Sequence, residues 1–260
     1  MPAAVLTSDA LHHGSRRERL VREILSRCFD GKYLPGQRMR VEHLAEEYQM
    51  SATPVREALV ELAGIGIVDL HANRGAVLRP FGAREVREIV QVRRVLECEA
   101  TRSACGRIPL SELEDLRLGL EELIAGSRGE EWSAQTRRLD SQLHELIARH
   151  CGSERLAYEI GRYSVLYRVL RDTRHERRTA RANYSQMEEN AEHLAIVNAL
   201  IAGNHAVAVA SMAEHINQSA AALTADLFDA PASSESPPTQ RLQTVACPGA
   251  HRGSNTRLED

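Results

Sequence analysis

The sequence predicts a mainly α protein in two parts, an N-terminal winged helix-turn-helix domain and a C-terminal all-helical bundle. Three observations carry this. The 260 residues are 43% apolar and 27% charged but only 4% aromatic, and they are rich in Ala, Leu, Glu and Arg, which favour helix. Before Pro80, short helical patterns mix with β-like alternation. After it, only helical periodicity continues, to about Leu227. The expected organisation is therefore a flexible N-terminus over 1–14, the winged segment over 15–80, the bundle over 81–229 and a disordered tail over 230–260. This composition excludes a collagen-like repeat, a small disulfide scaffold and a wholly disordered chain.

The elements follow in order. Ser15 to Asp30 reads as a helix, with Leu20, Ile24 and Cys28 four apart and Val21, Leu25 and Phe29 beside them. Gly31 stops it, and Leu34-Pro35-Gly36 is a turn. A short helix spans about Val41 to Tyr48. Gln49-Met50-Ser51 is a tight turn in which Ser51 is a candidate N-cap. A third helix runs from Thr53 to about Ala63, with Pro54 tolerated in its first turn and Val55, Leu59 and Leu62 as its buried stripe. A strand then begins near Val68, Asn73-Arg74-Gly75 is a hairpin turn, and Ala76 to Leu78 is the return strand. Beyond Ala83, breaks near 106–109, 126–129, 151–153, 179–183 and 203–204 divide the chain into about six helices, a bundle whose facing helices could build a ligand site.

Net charge is −3, which at first argues against a nucleic-acid partner. Divided at Pro80 it is +1 over residues 1–80 and −4 over 81–230, so the acidic balance belongs to the bundle. In a winged helix-turn-helix the third helix enters the major groove and the hairpin touches the neighbouring groove or backbone. That places Ser51, Thr53 and Arg56 at the reading helix and Arg74 and Gly75 on the wing. Lys32 is the only lysine, so nearly every cation is Arg. The five cysteines include no C-x-x-C pair, which fits a reduced compartment. No leader pattern and no long apolar span is visible, so the expected location is the cytoplasm, without membrane contact.

In the bundle, Asp140 and His144 are four apart on one helix face. His193 and His215 stand on the last two helices, about ten and eleven residues from the Gly203-Asn204 turn, so an antiparallel hairpin would bring them to one height. Three imidazoles and a carboxylate suit Zn²⁺ or a neighbouring first-row divalent ion such as Ni²⁺ or Mn²⁺. The spacing equally suits three histidines satisfied by hydrogen bonds. The Arg162, Arg168, Arg171, Arg174, Arg177, Arg178 and Arg181 run reads as a mostly solvated face, of which one or two members could line a pocket.

Leu34-Pro35-Gly36, Leu44-Ala45 and the run Thr53-Pro54-Val55-Arg56-Glu57-Ala58-Leu59, followed by Leu62 and Gly66, resemble the GntR family of bacterial transcription regulators. Ala52 and Glu42 stand where members of that family commonly carry Arg. The resemblance therefore implies an altered operator, with Arg38 and Arg40 available for backbone contact and Glu57 as a structural, paired residue. Arg93-x-x-Leu96-Glu97, Asp140-x-x-Leu143-His144 and Glu192-His193 through Gly203, then Met212 and His215-Ile216, are similar to the FCD ligand-binding domain of the FadR subgroup. Leu143 and Gly152-Ser153 depart mildly from that pattern.

The second resemblance implies a divalent metal on Asp140, His144, His193 and His215, and a small organic acid effector anchored by Arg93. Arg93 could equally pair with Glu97 one turn on. The expected protein is a homodimeric, metabolite-responsive regulator on a pseudo-palindromic double-stranded operator, with a hinge at Pro80-Phe81 and no catalytic activity. The alternative is a metal-dependent hydrolase built on the same Asp/His set, against which stands the lack of any H-E-x-x-H motif.

Overall fold

The computed structural model describes residues 8–71, 75–177 and 182–228. Asn73 and Arg74 of the wing, Arg178 and Arg181, and the 230–260 tail lie outside the described residues.

In the N-terminal segment, α1 (Ser8–Phe29) leads to a two-residue strand β1 (Arg38–Met39), then α2 (Val41–Glu47) and α3 (Ala52–Gly64). Strands β2 (Val68–His71) and β3 (Gly75–Leu78) form the wing. Helix α1 begins before the expected Ser15, because Ser8–Gly14 holds no Pro and its one Gly is only a modest helix penalty. The sheet order is β1-β3-β2, both pairs antiparallel, with Met39 opposite Ala76 and Leu70 opposite Ala76 on the other side. Gly75 is needed at the start of β3. Its φ is +82°, and a Cβ there would run into the Met39 carbonyl.

Six helices follow among the described residues: α4 (Ala83–Ala104), α5 (Leu110–Ala125), α6 (Glu130–His150), α7 (Glu154–Arg177), α8 (Ala182–Ile201) and α9 (His205–Phe228). The breaks after α4, α5, α6 and α8 fall at Gly106 to Pro109, Gly126 to Gly129, Gly152 and Gly203. Leu116, Leu120, Leu143, Leu146, Ile147 and Leu166 are fully buried at the centre.

Pro80 is a change of architecture rather than a gap between separate bodies. Leu20, Val21, Ile24 and Leu25 of α1 are all fully buried, because α1 lies between α3 on one side and α7 of the bundle on the other. The expected hinge residue Phe81 packs its ring edge-on against Phe29 of α1, with centroids 5.2 Å apart. That contact ties the junction to α1.

Candidate functional site

Two sites take shape, one at each end of the chain. The first is a groove of about 740 Å³ on the winged segment, lined by Arg38, Arg40, Glu42, Arg56, His71 and Gly75 among others. Four of the residues nominated from sequence thus share one surface, and Arg38, Arg40 and Arg56 are exposed there. Thr53 and Ser51 are exposed at the start of α3 but do not line the groove. Ser51 occupies the N-cap position with an extended backbone, yet its side chain makes no capping bond. The third helical residue is Pro54, which has no N–H to donate, so Thr53 N–H is the one capping donor left and the hydroxyl does not take it. Glu57 has no ion-pair partner among the described residues, contrary to the paired role expected of it. Val60 (57% exposed) and Leu70 (48%) also border the groove. They break the buried stripes and gave no signal of their own.

The second site is buried in the bundle. One ligand-capable atom from each of Asp140, His144, His193 and His215 lies within 4.8 Å of all the others. Helix α6 supplies the first two one turn apart, and the α8–α9 hairpin brings in the histidines at matching height. All four are buried. The Nε2 atoms of His193 and His215 are 3.2 Å apart, and His193 Nε2 is 3.3 Å from Asp140 Oδ1.

Nitrogens at the back of two rings are held by carboxylates. His215 Nδ1 donates to Glu192 Oε2 at 2.8 Å, and His144 Nδ1 donates to Glu97. Each bond fixes the tautomer that turns an Nε2 lone pair inward, as outer-sphere carboxylates do for metal-binding histidines. Burial, with His193 and His144 alongside, holds His215 well below the usual imidazole value, so it is neutral, as a ligand must be. Burial alone would raise the Asp140 carboxyl. The Arg171 guanidinium outweighs it, with His193 and His144 adding, and keeps Asp140 ionised well below its usual range. Three neutral-capable imidazoles and a carboxylate, converging with their outer bonds in place, fit a divalent first-row cation.

Arg93 is 4% exposed. It pairs with Glu97, as one of its two readings from sequence had it, stacks over the Tyr167 ring with its guanidinium carbon 3.6 Å from the centroid, and lines a cavity. Its Nη1 is buried with no hydrogen-bond partner. The cavity, about 560 Å³, runs between α6 and α7 and reaches Asp140 and His144 at its floor. The arginine run on α7 is less solvated than expected. Arg171 bonds Asp140, Arg174 is buried and bonds Glu189 at 3.0 Å, and Arg168 lines the cavity. Glu192 and Arg171 were not singled out from sequence as site residues, since nothing in their local spacing reveals which helix they meet.

The family model for the FCD domain matches residues 88–218, and that for bacterial regulatory proteins of the gntR family matches residues 16–78. The HTH-type transcriptional regulator LutR of Bacillus subtilis (strain 168) is 27% identical over 208 residues, covering 72% of this chain and 91% of its own length. The Nta operon transcriptional regulator of Aminobacter aminovorans is 33% identical over 112 residues, 43% of this chain and 52% of its own. The solved structure of E. coli McbR/YncC superimposes with a TM-score of 0.59 at 22% identity, over 80% of this chain and 96% of that one. This last likeness concerns the fold.

Proposed function

Because this chain belongs to the GntR family of bacterial transcription regulators and carries the family's FCD domain, we propose that it senses a small organic acid beside a divalent metal and adjusts its grip on a pseudo-palindromic operator as a homodimer. Its relatives are transcription regulators, not enzymes, so the hydrolase alternative is set aside. Among the described residues no helix is long and apolar enough to cross a membrane, and the proposed setting is the cytoplasm, with the DNA.

Asp140, His144, His193 and His215 would hold the metal, Zn²⁺ in the first instance. The observation that carries this is the convergence of their four ligand atoms within 4.8 Å, with Glu97 and Glu192 behind two of the rings. When bound, the metal supplies a positive centre with positions open to a carboxylate. Arg93, buried and with Nη1 unpartnered, would clamp the same carboxylate by charge-assisted hydrogen bonds.

On the DNA side, Arg56 and Thr53 at the start of α3 would read the major groove. Ser51, Arg38 and Arg40 would grip phosphates, and Gly75 and Arg74 would set the wing. Glu42 in the same groove opposes phosphate locally, so affinity must come from a few placed arginines and from two-fold repetition. Val92 and Val95 stand 41% and 61% exposed on the outer side of α4, which supports α4 as part of the dimer contact.

The test is a gel shift on DNA flanking the gene, using metal-loaded and chelator-treated protein, with metal content measured alongside. Specific retardation that changes on chelation supports the proposal. Retardation indifferent to chelation, with no metal in the purified protein, would refute its metal part.

A further inference from the structure

One wall of the α6–α7 cavity comes from outside the bundle. On α7 the lining follows a single stripe, Ala157, Ile160, Gly161, Ser164 and Arg168, and it is completed by Glu18 of α1. The stripe is roughly 16 Å long at a helical rise of about 1.5 Å per residue. Arg168 ends it, one turn before Arg171, the residue that holds Asp140. There Arg168 Nη2 donates to Glu18 Oε1 at 3.3 Å. The two side chains are 31% and 39% exposed, so a solute in the cavity can reach the pair. Arg168 Nε is buried and has no hydrogen-bond partner.

Glu18 sits on the helix that carries the reading head. Its neighbour Arg17 pairs with Glu61 of α3, Nε to Oε2 3.1 Å, and α1 buries Leu20 and Ile24 in the core it shares with α3. Farther along α7, Arg162 packs against Gly64 at the end of α3. A cavity that reaches the metal-ligand cluster at its floor therefore ends at an ion pair whose other half belongs to the winged segment.

We propose that Arg168 is a second effector-binding residue, that Glu18 is its built-in competitor, and that the effector is a dicarboxylate. This rests on reading the cavity as an acid site. Arg93, with Nη2 3.2 Å from His144 Nε2, and Arg168, beside Glu18, both line the one cavity, and two such guanidiniums call for two anionic groups on one ligand. The rim carboxylate does for Arg168 what Glu18 does without ligand, since both are acceptors for the same guanidinium fork. When it takes over, Glu18 leaves α7, and α1 loses one of its bonds to the bundle while keeping Arg17–Glu61. The two inter-domain arrangements then differ in their contacts with the ligand, which is what a shift in operator affinity requires.

Competition has a signature that a merely structural ion pair lacks, namely opposite effects of removing its two members. The experiment is calorimetric titration of the full-length, Zn²⁺-loaded protein with malonate, succinate, malate, glutarate and adipate, and with lactate and propionate as monocarboxylate controls. It is run on wild type, Glu18→Gln and Arg168→Gln. At least one dicarboxylate should bind wild type more tightly than either control. Arg168→Gln should weaken it about tenfold, the size of one partly exposed hydrogen bond to a charged group. Glu18→Gln should tighten it about two- to fivefold, the worth of a surface ion pair no longer competing.

Amide exchange over residues 16–29 should rise on ligand binding in wild type and be raised without ligand in Glu18→Gln. That variant is isosteric on a part-exposed side chain and carries the test even if Arg168→Gln were unstable. Shifts in the same direction, or none, in the two variants would overturn the proposal. Preferred binding of monocarboxylates would overturn it while leaving the acid site standing. Binding of no acid at all would overturn both.

Discussion

Glu192→Gln isolates the outer sphere of the proposed metal site. Glu192 Oε2 accepts from His215 Nδ1 at 2.8 Å, the glutamate being 18% and the histidine 1% exposed. Glutamine keeps the size and can still accept through its carbonyl, so the His215 tautomer survives and only the charge is lost. Loss of such a partner typically lowers metal affinity about 10- to 100-fold. With the hydrogen bond retained, the lower end applies, about tenfold or about 1.4 kcal/mol. Glu97 would be the wrong choice for this test. It neutralises Arg93 as well as holding His144, and removing it leaves a buried uncompensated guanidinium at a cost of about 3–5 kcal/mol. Competition for Zn²⁺ against a chromophoric chelator measures the effect, with urea unfolding of the metal-free variant at neutral pH, which should show no loss of stability, as control. Unchanged Zn²⁺ affinity would refute the reading that Glu192 aims His215 at a metal.

Four further outcomes are expected. Arg56→Ala should weaken operator binding by about tenfold or more while metal content stays at the wild-type level, and undiminished binding would remove Arg56 as a reader. Ser51→Ala should cost less than about 0.5 kcal/mol, against about 1 for a working N-cap, yet lower DNA affinity, so a full capping loss on urea unfolding would contradict the free hydroxyl. Gly75→Ala should destabilise by at least about 1 kcal/mol through the left-handed backbone alone, with the Met39 carbonyl adding to it. In metal-free protein, His215 is held neutral by burial, so below about pH 6.5 the unfolded chain takes up a proton that the folded chain refuses, and stability falls with acidification. Glu192, pushed up to about 7 by burial, opposes this, since between 4.5 and 7 the folded chain holds the extra proton. Glu192→Gln should therefore lose stability more steeply than wild type from pH 7.5 to 5.5, and a shallower loss would contradict the assignment.

Local chemistry was legible in the chain. Helices α4, α5, α6 and α8 end where Gly, Pro or Asn interrupts a 3.6-residue pattern, and the reading helix is announced by Pro54 in its first turn and a stripe at Val55, Leu59 and Leu62. Asp140 and His144 share a face because residues four apart must. A symmetric hairpin about Gly203 was enough to expect His193 and His215 at one height.

What remained hidden depends on partners distant in sequence. Strand β1 is two residues long and exists only because Arg38 and Met39 pair with Val77 and Ala76, so no local alternation marks it. The Ser51 hydroxyl makes no capping bond, since Pro54 removes one of the two donors a cap can use and the other goes unused. The arginines of α7 read as a charge run, since periodicity reports which residues share a face but not what that face meets. Only the tertiary structure sets Arg171 on Asp140, Glu192 behind His215, and Arg168 on Glu18 beside a cavity, because burial and charge pairing are decided by which helices come to lie side by side.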